Sequence, residues 1–353
     1  MRVLQLIDSL HPGGAEKMAI NLFKELNNSG IECFICTTRQ EGLLKSEIID
    51  FSKYLFLKKR NSIDVKALRS LYLFIKSKKI NIIHAHGTSY FTAFLIKFAF
   101  SKKVTLIWHD HYGNSEFLEH RPYKILRFCS KWFDGVVCVN NVLLTWCKSK
   151  LLASKYLMIN NFVSLPEGKV DSLQLNGSQS FKLICIANLR PQKNHHFLLN
   201  VFNEIVDHYE ISLHLFGKDF YDAYSEEIKK KVDEMSNVYY YGSQKITKAI
   251  LKQANVGLLV SKSEGLPLAL LEYGMAGLPV ICTVVGECRE VIGNFGLLIP
   301  SDDEKALNIA IKTYFTDENM RNEHSNRLKD HIFNRFGAQK NIGEFIDFYE
   351  QCS

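Results

Sequence analysis

The stretch that decides the fold covers residues 254–286 and reads ANVGLLVSKSEGLPLALLEYGMAGLPVICTVVG. Its apolar run at 256–260 predicts a buried strand, and the polar residues that follow predict a loop. Pro267 suits the first turn of a helix over 268–276, and Gly277 ends that helix before a second apolar run. Strand, loop, helix and strand form one unit of a parallel sheet, so the pattern predicts an α/β fold.

Two acidic residues occupy fixed places in this unit, Glu264 in the loop and Glu272 in the helix. Ligands of open parallel sheets bind beside such loops. The backbone amides of Gly265, Leu266 and Leu268 are expected to face a bound anion. A carboxylate next to an anion suits a ligand that also carries hydroxyl groups, as a sugar linked to a diphosphate does. The spacing alone is equally compatible with two solvated glutamates.

The unit resembles the E-x7-E signature of the retaining family 4 glycosyltransferases. That resemblance implies that Glu264 contacts the donor sugar and is a catalytic residue, and that Glu272 binds the ribose of the nucleotide. It also implies two Rossmann-like α/β domains that face each other across a cleft, which is the glycosyltransferase B-type fold. The matching residues are Ser261, Glu264, Gly265, Pro267, Glu272, Gly277, Pro279 and Val280. The donor site then includes Gly265, Leu266, Pro267 and Leu268.

A second glycine-containing loop lies near the N-terminus. Gly13 and Gly14 stand between a predicted strand at 2–8 and a predicted helix at 15–28, where glycines let the backbone approach a ligand closely. A plain tight turn is the alternative for two glycines alone. The sequence GGAE resembles the family 4 loop beside the donor phosphates. We therefore assign Gly13 and Gly14 to the donor and Glu16 to the acceptor.

Histidines end two further predicted strands of the first half. His84 and His86 point to the same side of one strand. Family 4 enzymes often have H-x-H near the acceptor, so we assign His86 to the acceptor, with a structural pair as an equally supported alternative. His109 matches the family's histidine beside the donor sugar and is the second catalytic candidate. With Asp110 and His111 it could also bind a metal ion, an interpretation ranked lower because the family needs no metal.

Segment 188–194, NLRPQKN, follows a predicted strand of the second half. Arg190 and Lys193 would bind a diphosphate together with helix amides, although solvated charges are the ordinary alternative. The segment resembles the family pattern G-R-L-x-P-x-K-G. Lys193 matches its lysine, but Asn188 stands in place of its arginine and Asn194 in place of its last glycine. Either Arg190 supplies the missing charge or the phosphates are held less tightly.

The chain of 353 residues suits two domains of ordinary size. We predict an N-terminal acceptor domain over 1–165, a polar linker over 166–180 and a nucleotide-sugar donor domain over 181–335. In the family the final helix, here within 336–353, packs back on the first domain. Gly242 matches the glycine before the loop that lies along the nucleotide base, and we assign it to the donor.

The cysteine content and the apolar segments of the sequence indicate the cellular compartment. The nine cysteines are odd in number and several lie in apolar strand-like runs, so we predict reduced thiols in a cytoplasmic protein. Neither a signal peptide nor an apolar run long enough to span a bilayer is recognisable in the sequence.

Positive charge is concentrated in the first half of the chain. Residues 1–165 contain 24 Lys and Arg against 12 Asp and Glu, whereas the remainder contains 20 against 25. Nucleic acid and anionic lipid both suit such a surface, but no nucleic-acid motif supports the first. We predict peripheral binding to an anionic membrane, with solvated lysines and core aromatics as the alternative. The basic residues concerned are Lys58, Lys59, Arg60, Lys76, Lys78, Lys79, Lys102, Lys103, Arg121, Lys124, Arg127 and Lys131.

The resemblance covers nearly the whole chain and implies a retaining hexosyltransferase. Such an enzyme moves a sugar from a nucleotide diphosphate, with UDP favoured, to a lipid-linked or polysaccharide intermediate of capsule or O-antigen synthesis. The sequence has no Asp-x-Asp pair, so no metal or other cofactor is expected, and cations with helix amides would neutralise the departing diphosphate. Two alternatives stay open: a sugar-nucleotide epimerase of the same fold, and a non-catalytic sugar-nucleotide binding module.

Overall fold

The computed structural model describes residues 1–100, 103–113, 115–163 and 173–353. The chain forms two compact units. The first comprises Met1–Phe162 together with Ala338–Ser353, and the second comprises Val163–Gly337. Residues 166–172 of the predicted linker and Lys102 lie outside the described residues, and the rest of the linker, 173–180, belongs to the second unit.

A parallel sheet of seven strands forms the centre of the first unit. The strands are β1 (Arg2–Ser9), β2 (Glu32–Gln40), β3 (Tyr54–Phe56), β4 (Ile82–His86), β5 (Thr105–Asp110), β6 (Gly135–Cys138) and β7 (Tyr156–Met158). Their order is β3-β2-β1-β4-β5-β6-β7. The helices are α1 (Gly14–Asn28), α2 (Val65–Ser77), α3 (Tyr90–Ala99), α4 (Lys124–Cys129) and α5 (Asn141–Lys150). Every residue of β4 and β5 is buried, as expected for parallel strands covered on both faces.

A parallel sheet of six strands forms the centre of the second unit. The strands are β8 (Phe181–Ile186), β9 (Ile211–Phe216), β10 (Val238–Tyr240), β11 (Val256–Leu259), β12 (Val280–Thr283) and β13 (Leu297–Ile299), in the order β10-β9-β8-β11-β12-β13. The helices are α6 (His195–Ile205), α7 (Ala223–Glu234), α8 (Lys248–Leu251), α9 (Leu268–Ala276), α10 (Cys288–Ile292), α11 (Glu304–Thr316) and α12 (Glu318–Phe336). The strand order reverses between β8 and β11, and ligands of open α/β sheets bind at such a point.

The last helix, α13 (Ala338–Cys352), belongs to the first unit. Its side chains Phe345, Phe348 and Tyr349 are fully or almost fully buried in the core that also contains Ile82 of β4 and Ile107 of β5. The chain therefore leaves the first unit near residue 162 and returns to it for its final helix.

The predicted α/β class is confirmed, and α9 has the bounds that its sequence pattern predicted. The short strands β3 and β13 were not predicted; each has three residues and is only partly buried, so neither gives a clear apolar run. All nine cysteines are free thiols, as predicted. Within the part of the chain that the structure describes, no helix has the length and apolar character needed to cross a bilayer.

Candidate active site

The loop after β11 brings two of the predicted donor residues together. Glu264 is buried, and its Oε1 accepts a hydrogen bond from Ser261 Oγ at 2.6 Å and another from Lys193 Nζ at 2.6 Å. Because β8 and β11 are neighbours in the sheet, the loops that follow them meet, and Lys193 reaches across to Glu264. An acid and a cation thus lie side by side at the carboxyl edge of the sheet.

A glycine loop from the next strand holds Glu264 in place. Gly286 has φ of +48°, and a Cβ at this position would collide with the backbone oxygen of Glu264. Nearby, the Glu287 amide donates to the Gly265 carbonyl at 3.0 Å. Only glycine combines this conformation with so close an approach, so the loop after β12 fixes the backbone on which Glu264 stands.

Helix α9 carries Glu272 and starts directly after the loop that follows β11. Pro267 is its N-cap residue, and Gly277 ends it with φ of 72°. Glu272 is 4% exposed, and the neighbouring Tyr273 hydroxyl accepts from the Ile186 amide at 2.8 Å, which joins α9 to the end of β8. The first amides of α9 have no acceptor within the helix, as in any helix start, and suit an anion.

The replacement of the family glycine by Asn194 has a local explanation. Asn194 has φ of 60° and ψ of 39°, the left-handed conformation that glycine adopts most easily and that asparagine tolerates best among the other residues. Its side-chain amide donates to Asp302 Oδ1 at 2.8 Å. The turn that presents Lys193 is therefore retained despite the substitution.

Asn188 and Arg190 lie at the end of β8 beside the loop that follows β9. Asn188 Oδ1 accepts from the Lys218 amide at 2.9 Å, so its side chain braces that loop. The Arg190 guanidinium lies over the Phe220 ring, with Cζ 4.4 Å from the ring centroid. Gly242, at the end of β10, has φ of 66° and open space around its Cα. These residues and Lys193 follow neighbouring strands at one edge of the sheet.

The glycine loop of the first unit is built around Glu16. Gly13 is the N-cap residue of α1 and Gly14 is the first residue of the helix. A Cβ at position 13 would collide with the Glu16 carboxylate, which accepts from Ser9 Oγ at 3.0 Å. Glu16 thus folds back over its own loop, and its assignment to the acceptor stays a prediction.

A cluster of histidines covers one face of β4 and β5. His86 and His109 are partners in the strand register, and His84 lies two residues before His86 on the same face. His84 Nδ1 bonds the Tyr349 hydroxyl of α13 at 2.6 Å, and His86 Nε2 bonds Gln5 Oε1 at 2.8 Å. Neither ring nitrogen of the buried His109 has a hydrogen-bond partner among the residues that the structure describes. His86 is itself buried, so its assignment to the acceptor also stays a prediction.

His84, His86 and His109 each place one ring nitrogen within 4.8 Å of the others, which makes them the candidate metal ligands among the described residues. The rings of His84 and His86 are nearly parallel, with centroids 4.6 Å apart and planes inclined by 11°. Imidazole lone pairs lie in the ring plane, so stacked rings direct them along separate planes rather than to one point. A metal ion would require at least one ring to rotate.

Asp110 is not part of this cluster, which corrects the grouping of His109, Asp110 and His111. Its side chain lies on the other face of β5 and forms two hydrogen bonds with Arg121, at 2.6 and 2.8 Å. The Arg121 guanidinium is enclosed by Tyr112 and Trp146, with Cζ 4.2 and 4.4 Å from the ring centroids. This buried ion pair supports the strand end that carries His109.

Burial keeps the histidine cluster neutral. It lowers the pKa of His84 to about 3 and holds the pKa values of His86 and His109 well below 6.5. The unfolded chain binds protons at these side chains below about pH 6.5, and the folded chain does not. The stabilisation that comes from these neutral histidines is therefore fully present above that pH. The free energy of unfolding falls as the pH is lowered, by up to about 1.4 kcal/mol per pH unit for each histidine.

We expect His84→Gln to reduce the pH dependence of the unfolding free energy between pH 6.5 and 5 by about one proton. All three tryptophans lie in the first unit, so their fluorescence during urea unfolding reports on this unit alone. His120→Gln is the matched control, because the His120 side chain is 80% exposed. An unchanged slope in His84→Gln would contradict the assignment of His84 as a neutral buried base.

Two family models match the chain, one in each half. The model of glycosyltransferase family 4 matches residues 12–165, and the model of glycosyl transferases group 1 matches residues 173–331. One relative is the UDP-Gal:alpha-D-GlcNAc-diphosphoundecaprenol alpha-1,3-galactosyltransferase of Escherichia coli, which is 24% identical to this chain. The alignment covers 95% of this chain and 93% of the relative. An uncharacterised 41.2 kDa protein from the cps region of Klebsiella pneumoniae is 25% identical, covering 99% of both chains.

Solved structures share the fold over the whole chain. HepE from Anabaena, in complex with UDP and glucose, has a TM-score of 0.81 at 16% identity and covers 99% of both chains. Sucrose-phosphate synthase from Thermosynechococcus elongatus has a TM-score of 0.79 at 15% identity, with the same coverage. Two parallel α/β units of this kind define the glycosyltransferase B-type fold. The chain belongs to glycosyltransferase family 4 and uses a nucleotide sugar.

Sequence reasoning missed several residues that build these sites. Tyr273 and Tyr349 read as ordinary helical core residues, and their hydroxyl contacts depend on strands distant in sequence. Arg121 was predicted as a surface cation because it begins a basic segment, whereas it is buried against Asp110. Lys218 directly follows Gly217 at the end of the apolar run ISLHLF, residues 211–216, and a lysine after such a run was the signal that could have identified it.

Proposed function

We propose that this protein is a retaining glycosyltransferase that transfers a sugar from a UDP-sugar to a lipid-linked intermediate of cell-surface polysaccharide synthesis. The observation that carries the proposal is the Ser261–Glu264–Lys193 group, which lies beside the start of α9, the helix that carries Glu272. A cation and helix amides for a diphosphate, next to carboxylates for hydroxyl groups, match the two parts of a nucleotide sugar.

The names of the relatives and the ligands of the solved structures support the choice of donor and acceptor. The E. coli relative is named for a UDP-galactose donor and a diphosphoundecaprenol-linked acceptor. Structures of HepE contain UDP, UDP-glucose, or UDP with glucose. Other relatives are named as glycosyltransferases of O-antigen biosynthesis, although they match only 45% of this chain. A UDP-sugar and a lipid-linked acceptor are therefore the first substrates to test.

Each donor residue has a role in this proposal. Lys193 and the first amides of α9 stabilise the charge of the departing diphosphate. Glu264 positions a hydroxyl of the donor sugar, and Glu272 binds the ribose. One oxygen of Glu264 already accepts two hydrogen bonds, an arrangement that suits a positioning carboxylate better than a nucleophile. Retention then arises by attack on the face from which the diphosphate leaves. His109 is the catalytic candidate of the first unit.

The test is to incubate the full chain with UDP-sugars, with and without an undecaprenyl-diphosphate-linked sugar, and to measure UDP release. Release that depends on the acceptor, with a product whose anomeric configuration by NMR equals that of the donor, supports the proposal. Release of free nucleotide without acceptor would instead indicate an epimerase. Binding without turnover for every donor and acceptor would indicate a non-catalytic module.

Transfer is expected to continue in the presence of EDTA. The proposed site neutralises the diphosphate with Lys193 and backbone amides, so it assigns no step to a divalent cation. The measurement is the transfer rate with EDTA and then with added Mg²⁺ or Mn²⁺. Activity that disappears with EDTA and returns with either ion would reject metal independence and direct attention to His84, His86 and His109.

Membrane association is a further part of the proposal. An aromatic patch, defined as Phe98, Phe100, Ile125 and Phe128, is 41–64% exposed. Trp132 joins its two helices, because its ring lies 5.4 Å from the rings of both Phe98 and Phe128. Exposed basic residues of the same helical region are Lys124, Arg127 and Lys131. Apolar side chains beside cations suit the surface of an anionic bilayer.

Two of the basic residues predicted for the membrane surface are not exposed. Lys59 and Arg121 are buried and do not belong to this surface.

We expect the chain to co-sediment with vesicles that contain phosphatidylglycerol but not with phosphatidylcholine vesicles, and to dissociate at high salt. Replacement of Ile125 and Phe128 by serine should weaken this binding severalfold. Ile309→Ser is the matched control, because Ile309 is as exposed as Ile125, at 64%, and lies in the second unit. Equal binding to both kinds of vesicle, or no loss in the double variant, would reject the aromatic patch as the lipid contact.

A further inference from the structure

Two cations share one aromatic ring at the carboxyl edge of the second sheet. Arg190 Cζ lies 4.4 Å from the centroid of the Phe220 ring, and Lys218 Nζ lies 5.3 Å from the same centroid. Both distances are within the range in which a cation is attracted to an aromatic face. One aromatic ring thus interacts with two positive charges, which come from the loops after β8 and β9.

Neither cation has a carboxylate partner among the described residues, unlike other lysines of the same region. Lys193 pairs with Glu264 at 2.6 Å, Lys229 with Asp219 at 2.6 Å and Lys262 with Asp302 at 3.2 Å. Arg190 and Lys218 make no such pair within the described part of the chain, and their recorded contact is with the Phe220 ring. They therefore leave positive charge available to a ligand at this edge of the sheet.

The backbone around these cations is tightly held. The Leu189 amide donates to the Lys218 carbonyl at 3.0 Å, and the Lys218 amide donates to Asn188 Oδ1 at 2.9 Å. A Cβ at position 217 would collide with the carbonyl of Ala187, so the two loops can approach this closely only with Gly217. Asn188, which lacks the charge of the family arginine, thus positions the backbone of a residue that carries one.

The order of the strands places these cations between the two ends of the proposed donor site. Gly242 follows β10, Lys218 follows β9, Arg190 follows β8 and Glu264 follows β11, in the order in which these strands lie in the sheet. A nucleotide sugar with its base near Gly242 and its sugar near Glu264 must place its diphosphate between them.

We propose that Arg190 and Lys218, held over Phe220, form a diphosphate clamp, with Asn188 as a positioning residue. The inference rests on the proposed function and extends it: the charge absent at position 188 is supplied from two neighbouring positions. The ligand class is a nucleoside diphosphate. The guanidinium offers a planar fork of donors to one phosphate, and the ammonium of Lys218 offers a point charge to the other.

The test measures binding of UDP, uridine and inorganic pyrophosphate to the full chain by calorimetry. Arg190→Ala and Lys218→Ala are each expected to weaken UDP binding roughly tenfold or more, the loss typical of a hydrogen bond to a charged group. The double variant should bind pyrophosphate more weakly than either single variant, with only Lys193 and the first amides of α9 left to hold it, and uridine affinity should not change. Lys230→Ala is the matched control, because the Lys230 side chain is 79% exposed on α7. Wild-type affinity for pyrophosphate and UDP in the double variant would overturn the clamp.

A relocated charge tests the role of Asn188. In the Lys218→Ala background, Asn188→Arg is expected to recover most of the lost affinity for pyrophosphate, because it returns a cation to the same edge. No recovery, together with unchanged circular dichroism, would overturn the statement that charge at 218 replaces charge at 188. Failure of the proposed function can be distinguished from failure of the clamp. If only the proposed function is wrong, pyrophosphate binding depends on Arg190 and Lys218, but no UDP-sugar is bound or turned over. Pyrophosphate binding that is equal in all variants rejects the clamp alone.

Discussion

Glu264→Gln is expected to lower the rate of sugar transfer by roughly 10²–10³-fold, the loss that follows removal of one preorganised polar group from an active site. The substitution keeps the size of the side chain and an oxygen that can accept from Ser261. It removes the negative charge that faces Lys193 at 2.6 Å. Initial rates with a UDP-sugar and a lipid-linked acceptor are the measurement, and an unchanged circular dichroism spectrum shows that the fold is intact.

The contact with Lys193 allows a sharper version of this experiment. Lys193→Ala is expected to cost roughly 2–4 kcal/mol of transition-state stabilisation if Lys193 faces the diphosphate. Because the two side chains are in direct contact, the effects in the double variant should be far from additive. Lys262→Ala is the control, since Lys262 is on the same loop as Glu264 but pairs with Asp302. Turnover near the wild-type rate in Glu264→Gln, or strict additivity with Lys193→Ala, would reject the assignment.

The unit around Glu264 could be predicted from the sequence because its signals are local. A buried strand is a continuous apolar run, and Pro267 and Gly277 mark the two ends of α9 within the same stretch. The contact between Lys193 and Glu264 could not be predicted in this way, because the two residues are 71 positions apart. That contact depends on β8 and β11 being neighbours, which the order of strands along the chain does not determine.

The histidine cluster also depends on contacts between residues distant in sequence, which the sequence alone does not predict. The sequence predicted that His84, His86 and His109 lie at strand ends, and the register of β4 and β5 places His86 beside His109. The hydroxyl that orients His84 belongs to Tyr349, 265 residues away in the final helix. Arg121 was the clearest error, because a buried arginine and a surface arginine look alike in sequence. The rings of Tyr112 and Trp146 that enclose it come from separate segments.

Asp110→Ala is expected to destabilise the first unit by about 3–5 kcal/mol, because it leaves the Arg121 guanidinium buried without its counter-charge. The Asp110 side chain is 1% exposed and that of Arg121 is 8% exposed. Urea unfolding followed by tryptophan fluorescence is the measurement, since Trp108, Trp132 and Trp146 all belong to this unit. Glu32→Ala is the control: its pair with Arg2 has side chains 46% and 37% exposed, and its loss should cost less than about 1 kcal/mol.

Replacement of both partners distinguishes a buried charge from simple loss of packing. Asp110→Leu combined with Arg121→Met removes the pair and fills the space with apolar atoms, so it should cost less than Asp110→Ala alone, as is often found when a buried ion pair is replaced by hydrophobic residues. If the double replacement instead costs as much as the sum of the two single changes, packing and not charge explains the loss. If Asp110→Ala costs no more than Glu32→Ala, the ion pair does not support the end of β5. His109 would then owe its position to the contacts between its own strand and β4 and β6.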